Sequence, residues 1–171
     1  SVSATDGKAF DYENFTINFL PVNDKPELEQ ISDFSIKEEA VTSITVSASD
    51  VDGDQLTVSA TTSTNEIVPS VDGMELTLTP AKDYVGTASI NVFVTDGSLT
   101  DTVSYLLTVL NVNDAPVLFE IEDQVVSEDS QMNVRVIASD VDDSVIVYNS
   151  KSDNVGVGVS ASADTIMLQP V

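Results

Sequence analysis

The chain has 171 residues and a formal net charge of −23, from six Lys and Arg residues against 29 Asp and Glu residues. This charge argues against nucleic acids and anionic membrane surfaces as partners, because both would repel the protein. The sequence contains no cysteine and no histidine, which excludes disulfides, thiol chemistry and the commonest catalytic base.

The predicted elements are short β-strands, because apolar and polar residues alternate along most of the chain. Turns are predicted at Gly53, Gly73 and Gly97, each of which directly follows an aspartate. No segment has helical apolar spacing, so we predict an all-β fold of Greek-key β-sandwich type, with about seven strands per sandwich. In chain order, the residues predicted to face the core are Phe15, Ile44, Val46, Ala48, Leu56, Val58, Ala60, Leu76, Leu78, Ile90, Val92, Val94, Val103, Tyr105, Leu107 and Val109.

The sequence repeats itself after 90 positions without a gap. When the chain is shifted by 90 residues, 23 of the 81 overlapping positions are identical. The segment "PVNDKPEL" falls on "NVNDAPVL", and "ASDVD" at residues 48–52 falls on the same letters at residues 138–142. An ungapped match of this length predicts a tandem module of about 90 residues.

The module boundaries are predicted just after each "ND-x-P" sequence. Residues 1–26 would be the C-terminal strands of one module, residues 27–116 a complete module, and residues 117–171 the N-terminal part of a third. Two linkers follow from this division: the first linker (residues 21–26) and the second linker (residues 111–116). Because the residue before a proline is pushed toward extended geometry, Pro26 and Pro116 favour stiff connections.

The segment "SDVDGD" (residues 49–54) carries carboxylates at alternate positions, and "SDVDD" repeats them 90 residues later. In extended chain, residues i and i+2 point the same way, so Asp50 and Asp52 can converge. Two carboxylates about 4 Å apart repel by roughly 1 kcal/mol in water and by more near a protein surface. A hard cation would remove this repulsion, and calcium takes such oxygen ligands, whereas magnesium prefers fewer protein ligands. A solvated acidic face without an ion is the alternative interpretation.

The segments "ASDVDGDQLTVSA", "TDGSLTDTVSYLLTV" and "NVNDAPV" resemble the cadherin-like repeats of large bacterial surface proteins and adhesins. The resemblance covers the whole chain, and true cadherins resemble it more distantly. It implies tandem β-sandwich modules with calcium between consecutive modules, where the ion stiffens the connection.

The resemblance also implies a set of metal ligands at each linker, taken position by position. At the first linker these are Asn23, Asp24, Asp50, Asp52 and Asp96. At the second linker they are Asn113, Asp114, Asp140 and Asp142, together with Glu38 and Glu39 from the preceding module.

Two further acidic residues match the family, and two other positions depart from it. Glu128 and Asp129 would serve a third connection beyond this chain. In "KDYVG", Asp83 is the only acidic residue where true cadherins carry a fuller motif, so its role stays open. Asn111 stands where an aspartate is usual. These departures imply fewer ions per linker than in true cadherins.

The predicted function is that of a calcium-rigidified spacer in a long extracellular or cell-surface bacterial adhesin, biofilm or filament protein. The alternative is a cadherin-like module that binds a polysaccharide or another protein directly. An enzyme is not expected, because Ser, Thr and Asp have no histidine base and the paired carboxylates recur with the module. Nucleic acid and membrane insertion are not expected either.

Two interpretations of the chain ends remain. The chain, which starts without Met, can be an excerpt of a longer protein. Alternatively, residues 1–26 of one chain can complete residues 117–171 of the next, head to tail, by strand donation. The second interpretation predicts that strand 15–19 pairs with residues 134–138, or with another part of the third module, of a neighbouring chain.

Overall fold

Short β-strands account for all the regular secondary structure in the computed structural model, which describes residues 1–170. These residues contain no helix long and apolar enough to cross a membrane. The strands are β1 (Val2–Thr5), β2 (Phe10–Glu13), β3 (Glu27–Leu28), β4 (Phe34–Lys37), β5 (Thr42–Thr45), β6 (Ala48–Ser49), β7 (Thr57–Thr62), β8 (Ile67–Asp72), β9 (Glu75–Pro80), β10 (Gly86–Thr95), β11 (Thr100–Leu110), β12 (Val117–Leu118), β13 (Met132–Arg135), β14 (Ala138–Ser139), β15 (Val157–Ser162) and β16 (Thr165–Pro170).

The middle segment (residues 27–116) forms two facing sheets and a short strand pair. One sheet has the order β4-β11-β10-β7, the other has the order β5-β9-β8, and β3 pairs with β6. Strand β11 lies antiparallel to β10, and it runs parallel to β4, with Leu107 opposite Phe34. Because side chains alternate between the two faces of a strand, each sheet can turn its apolar residues toward the other. The predicted all-β sandwich is therefore confirmed.

The core of the middle segment lies between these two sheets. Leu76 and Leu78 from one sheet meet Ile90, Val92 and Leu107 from the other, and all five are fully buried. Of the other residues predicted to face the core, Val46, Val58, Val94, Val103, Tyr105 and Val109 are buried, and Ile44, Ala48, Leu56 and Ala60 are partly buried against the same cluster.

Tyr105 carries a polar atom into this core. Its side chain is 3% exposed, and its ring stacks on Phe34 with the ring centres 5.6 Å apart. The hydroxyl has no hydrogen-bond partner among the described residues. Burial raises the pKa of Tyr105 to about 12, so the phenol stays neutral at physiological pH.

We expect Tyr105→Phe to raise the free energy of unfolding by about 1 kcal/mol, because an unpaired buried polar group costs about 1–3 kcal/mol. Phenylalanine keeps the ring and its stacking on Phe34. Urea denaturation of the two proteins measures the difference. A loss of stability in the variant would mean that the hydroxyl has a partner, such as a buried water.

The C-terminal segment (residues 117–170) repeats part of this architecture 90 residues later. Strand β12 pairs with β14 as β3 pairs with β6, and β13-β16-β15 repeats β5-β9-β8 in the same register. Residues 124–127 and 147–152, the counterparts of β4 and β7, form no strand. In the middle segment β4 and β7 pair with β11 and β10, and residues 117–170 contain no counterpart of either. An open apolar groove remains, lined by Leu118, Ile121, Val136, Ile146, Tyr148 and Ile166.

The N-terminal segment (residues 1–26) forms only the hairpin of β1 and β2, in which Val2 lies opposite Glu13. The predicted strand at residues 15–19 does not form, and Phe15, predicted to be buried, is 58% exposed. In the middle segment the corresponding part of β11 pairs with β4. The counterpart of β4 is residues 124–127, and the pairing of residues 15–19 with residues 134–138, or with another part of the third module, of a neighbouring chain stays a prediction.

Candidate metal centres at the two linkers

The turn after β6 brings three carboxylates together. Asp50 Oδ1 accepts hydrogen bonds from the backbone N–H groups of Asp52, Gly53 and Asp54, at 2.9, 3.1 and 3.4 Å. Gly53 lies at φ 80°, a left-handed conformation that favours glycine. One carboxylate oxygen each from Asp50, Asp52 and Asp54 lies within 4.8 Å of the others. The turn thus folds its own charges toward one point.

Asp50 Oδ2 is buried and has no hydrogen-bond partner among the described residues. A buried carboxylate oxygen without a donor is costly unless a cation neutralises it. A cation bound at this turn would neutralise this oxygen.

The first linker is tied to this turn by two hydrogen bonds. The Asp24 N–H donates to Asp52 Oδ2 at 2.7 Å, and Asn23 Nδ2 donates to Asp96 Oδ2 at 2.9 Å. Asp96 Oδ1 also accepts the N–H groups of Ser98 and Leu99. The Leu99 N–H and the Asn23 amide hold the pKa of Asp96 below its usual value. The structure thus places the five residues predicted for the first linker next to one another.

An ion pair beside the first linker was not predicted from the sequence. Lys25 Nζ lies 2.7 Å from Asp101 Oδ1, and Asp101 Oδ2 accepts the N–H of Leu28 at 3.0 Å. The Lys25 ammonium and this N–H lower the pKa of Asp101 to about 2. Ala115 stands at the position of Lys25 in the second linker, so only the first linker has this ion pair.

A second acidic cluster joins the second linker to the middle segment. One carboxylate oxygen each from Glu38, Asp83 and Asp114 lies within 4.8 Å of the others. Glu38 is 7% exposed, and its Oε1 accepts the N–H of Val112 at 2.6 Å. Asp83, whose role the sequence left open, belongs to this cluster. Its position follows from a left-handed turn, with φ 57° at Asp83.

Glu39, predicted as a ligand with Glu38, lies outside this cluster. Its backbone turns at φ 60°, and its Oε1 lies 3.8 Å from Lys82 Nζ. Adjacent residues point in different directions, so Glu38 enters the cluster and Glu39 stays at the surface.

Beyond the second linker, the acidic turn of the C-terminal segment repeats the first one. The Asp114 N–H donates to Asp142 Oδ2 at 2.5 Å, as that of Asp24 does to Asp52. Asp140 Oδ1 accepts the N–H groups of Asp142 and Asp143. Among the described residues, Asn113 Nδ2 donates to the carbonyl of Asp114 alone, and residues 117–170 contain no counterpart of Asp96. Asp114 thus contacts acidic groups on both sides of the linker.

The donor set fits a calcium ion. Every candidate ligand offers oxygen, and hard cations such as calcium prefer carboxylate and carbonyl oxygens. The orphaned Asp50 Oδ2 and the nearly buried Glu38 carboxylate each lack a positive side-chain partner among the described residues. The sequence contains no cysteine or histidine, and none of the candidate ligands offers the thiolate, thioether or imidazole that softer metals prefer.

Comparison with known proteins gives one family and several solved folds. The family model for the cadherin-like domain matches residues 22–110. No curated protein is significantly similar to the chain.

The structure is similar to human protocadherin-24 EC1-2, with a TM-score of 0.54 and 19% identity over 86% of this chain and 78% of that one. An endo-fucoidan hydrolase of glycoside hydrolase family 107 has a TM-score of 0.46 and 15% identity over 99% of this chain, which spans only 29% of the length of that enzyme. The titin domains Z1Z2 in complex with telethonin have a TM-score of 0.43 and 15% identity, over 86% of this chain and 82% of that one. At these identities the similarity concerns the fold alone.

Proposed function

The chain belongs to the cadherin-like domain family, and on this premise we propose that it is a calcium-rigidified spacer of a long extracellular or cell-surface protein, such as an adhesin or a biofilm filament. Residues 27–116 would form one complete module. Residues 1–26 would be the end of the module before it, and residues 117–171 the start of the module after it. The observation that carries this proposal is the position of Asp114. Its carboxylate lies with Glu38 and Asp83, and its N–H binds Asp142 on the other side of the linker.

The chain's own residues prepare each linker for an ion. At the second linker, Val112 N–H fixes the Glu38 carboxylate, and Asp142 fixes the backbone at Asp114. Two such charges about 4 Å apart near a protein surface repel by roughly 4 kcal/mol, so without a cation the acidic groups favour a loosened linker. A bound calcium ion supplies the positive charge that removes this repulsion. The linker then holds the two modules in one relative orientation.

The alternative, a module that binds a polysaccharide directly, is favoured by one observation. Phe10 and Tyr12 stack on each other with ring centres 6.1 Å apart, and both are exposed. Their counterparts in β11, Thr100 and Thr102, are also exposed, so the two rings would face outward in a complete module. Retention of the chain on an insoluble polysaccharide, lost in Phe10→Ala with Tyr12→Ala, would support this alternative.

We expect the chain to melt about 10 °C or more higher in excess calcium than in EDTA. Ligand at 100 times its dissociation constant adds about 2.7 kcal/mol, and 1 kcal/mol shifts the Tm of a module of about 90 residues by about 4–8 °C. Dissociation constants of extracellular calcium modules are about 10⁻⁴ to 10⁻³ M, so the calcium concentration must be well above this range. Circular dichroism measures both transitions.

Asp50→Asn is the test variant for this prediction, because asparagine keeps the Oδ1 acceptor of the turn but replaces the orphaned charged oxygen. This variant should lose part of the calcium-dependent rise in Tm. Asp153 is an exposed aspartate outside both clusters, and Asp153→Asn should keep the whole calcium-dependent rise in Tm. Identical melting curves of the wild type in calcium and EDTA would remove the calcium spacer from consideration.

A further inference from the structure

The acidic cluster at the second linker already has a positive neighbour. Lys82 Nζ lies 2.7 and 2.9 Å from the two carboxylate oxygens of Asp83, and 3.8 Å from Glu39 Oε1. The hydrogen bond to Asp83, followed by the charges of Asp83, Glu39 and Asp114, raises the pKa of Lys82. The ammonium, which like that of any lysine is charged at neutral pH, lies within the electric field of the cluster.

Both oxygens of Asp83 are thus engaged by the ammonium. While this contact holds, Asp83 offers a divalent cation neither an unengaged oxygen nor its full negative charge. The Lys82 side chain is 72% exposed, and a lysine stem is flexible and well hydrated at its end. The ammonium can therefore leave Asp83 for water, at the modest cost that is typical of an exposed ion pair.

The acidic turn at Asp50, Asp52 and Asp54 differs in this respect. Among the described residues no lysine or arginine forms an ion pair with these three carboxylates, and Lys25 is paired with Asp101 instead. The two acidic clusters of one molecule therefore differ in whether a side-chain cation competes for a ligand.

We propose that Lys82 is an affinity-determining residue of the second linker: its ammonium competes with the divalent cation for Asp83 and must be displaced when the ion binds. This inference rests on the proposed calcium spacer. It makes occupation of the second linker require a higher calcium concentration than the carboxylates alone would need. A lysine in this position thus sets the calcium range over which the linker stiffens.

The test is a calcium titration of the ¹⁵N-labelled full chain, followed by NMR. The Val112 amide, which donates to Glu38, reports on the second linker, and the Gly53 amide, which donates to Asp50, reports on the first acidic turn. Lys82→Gln is compared with the wild type and with Lys8→Gln. Lys8 lies in the N-terminal hairpin region and forms no ion pair among the described residues, so this control removes the same charge away from the site.

In Lys82→Gln we expect the dissociation constant read at Val112 to fall about two- to fivefold, the range that corresponds to an exposed ion pair. The value read at Gly53 should not change, and Lys8→Gln should change neither. Combined with Asp83→Asn, which removes the charge that Lys82 neutralises, Lys82→Gln should have little further effect.

An unchanged dissociation constant at Val112 in Lys82→Gln would overturn the role of Lys82 while leaving calcium binding intact. An equal fall at Val112 and Gly53 would also overturn it, because a general charge effect would then explain the change. If the wild type shows no calcium response and Lys82→Gln gains one at Val112, the competition is supported, because the ammonium would then prevent the ion from binding altogether. If neither protein responds, the calcium spacer fails and Lys82 has no such role.

Discussion

Asp140→Asn combined with Asp142→Asn should abolish the calcium-dependent ordering of the second linker. Asparagine at residue 140 keeps an oxygen for the N–H groups of Asp142 and Asp143, so the turn itself should persist. What is lost is two of the negative charges that would hold a cation opposite Glu38, Asp83 and Asp114. Without them, we expect the linker to sample many orientations at any calcium concentration.

Distance measurements between spin labels test this prediction cleanly, because the chain has no cysteine of its own. Labels at Ser59→Cys and Ser160→Cys, both exposed strand positions, lie on opposite sides of the linker. The wild-type distance distribution should be narrow in calcium and broad in EDTA, and that of the double variant should be broad in both. Glu122→Gln with Asp153→Asn, two exposed acidic residues outside both clusters, is the control with the same change in charge. If the double variant still narrows in calcium, the ligands lie elsewhere.

The second large effect is expected in the core of the middle segment. Leu107 on β11 is 0% exposed and packs between the two sheets, so Leu107→Ala should lower the free energy of unfolding by about 2–5 kcal/mol. Leu106, next to it on the same strand, is 49% exposed, and Leu106→Ala should cost less than about 1 kcal/mol. Urea denaturation compares the two. Equal losses would contradict the alternation of faces on which the sandwich depends.

The strands of the middle segment could be predicted because their apolar period of two is a local property of the sequence. Ile90, Val92 and Val94 show the alternation and are all buried. Residues 15–19 have the same alternation, yet form no strand. A strand also needs a neighbour for its backbone N–H and C=O groups, and β4, the parallel partner in the middle segment, has no counterpart within reach of residues 1–26. Periodicity indicates which face is apolar, but not whether a partner is present.

Of the candidate metal ligands, too, some could be predicted from the sequence and others could not. Asp50 and Asp52 do lie close together as predicted, but in a turn whose N–H groups bind Asp50 Oδ1 rather than along an extended chain. The linker residues Asp24 and Asp114 follow from the repeat. The position of Asp83 could not be predicted, because the turn at φ 57° that directs it toward Glu38 depends on the fold. The ion pair of Lys25 with Asp101 joins residues 76 positions apart in the sequence, so no local pattern predicts it.

A residue-level calcium titration of the ¹⁵N-labelled wild-type chain tests the central claim most directly. If calcium stiffens the linkers, the largest saturable shifts should occur at the amides of Asp24, Gly53, Val112, Asp114 and Asp142, which donate to the acidic groups of the two sites. Half-saturation should fall at about 10⁻⁴ to 10⁻³ M calcium. Absence of shifts at these amides, or small shifts spread evenly over all acidic residues without saturation, would contradict the account and leave a solvated acidic surface in its place.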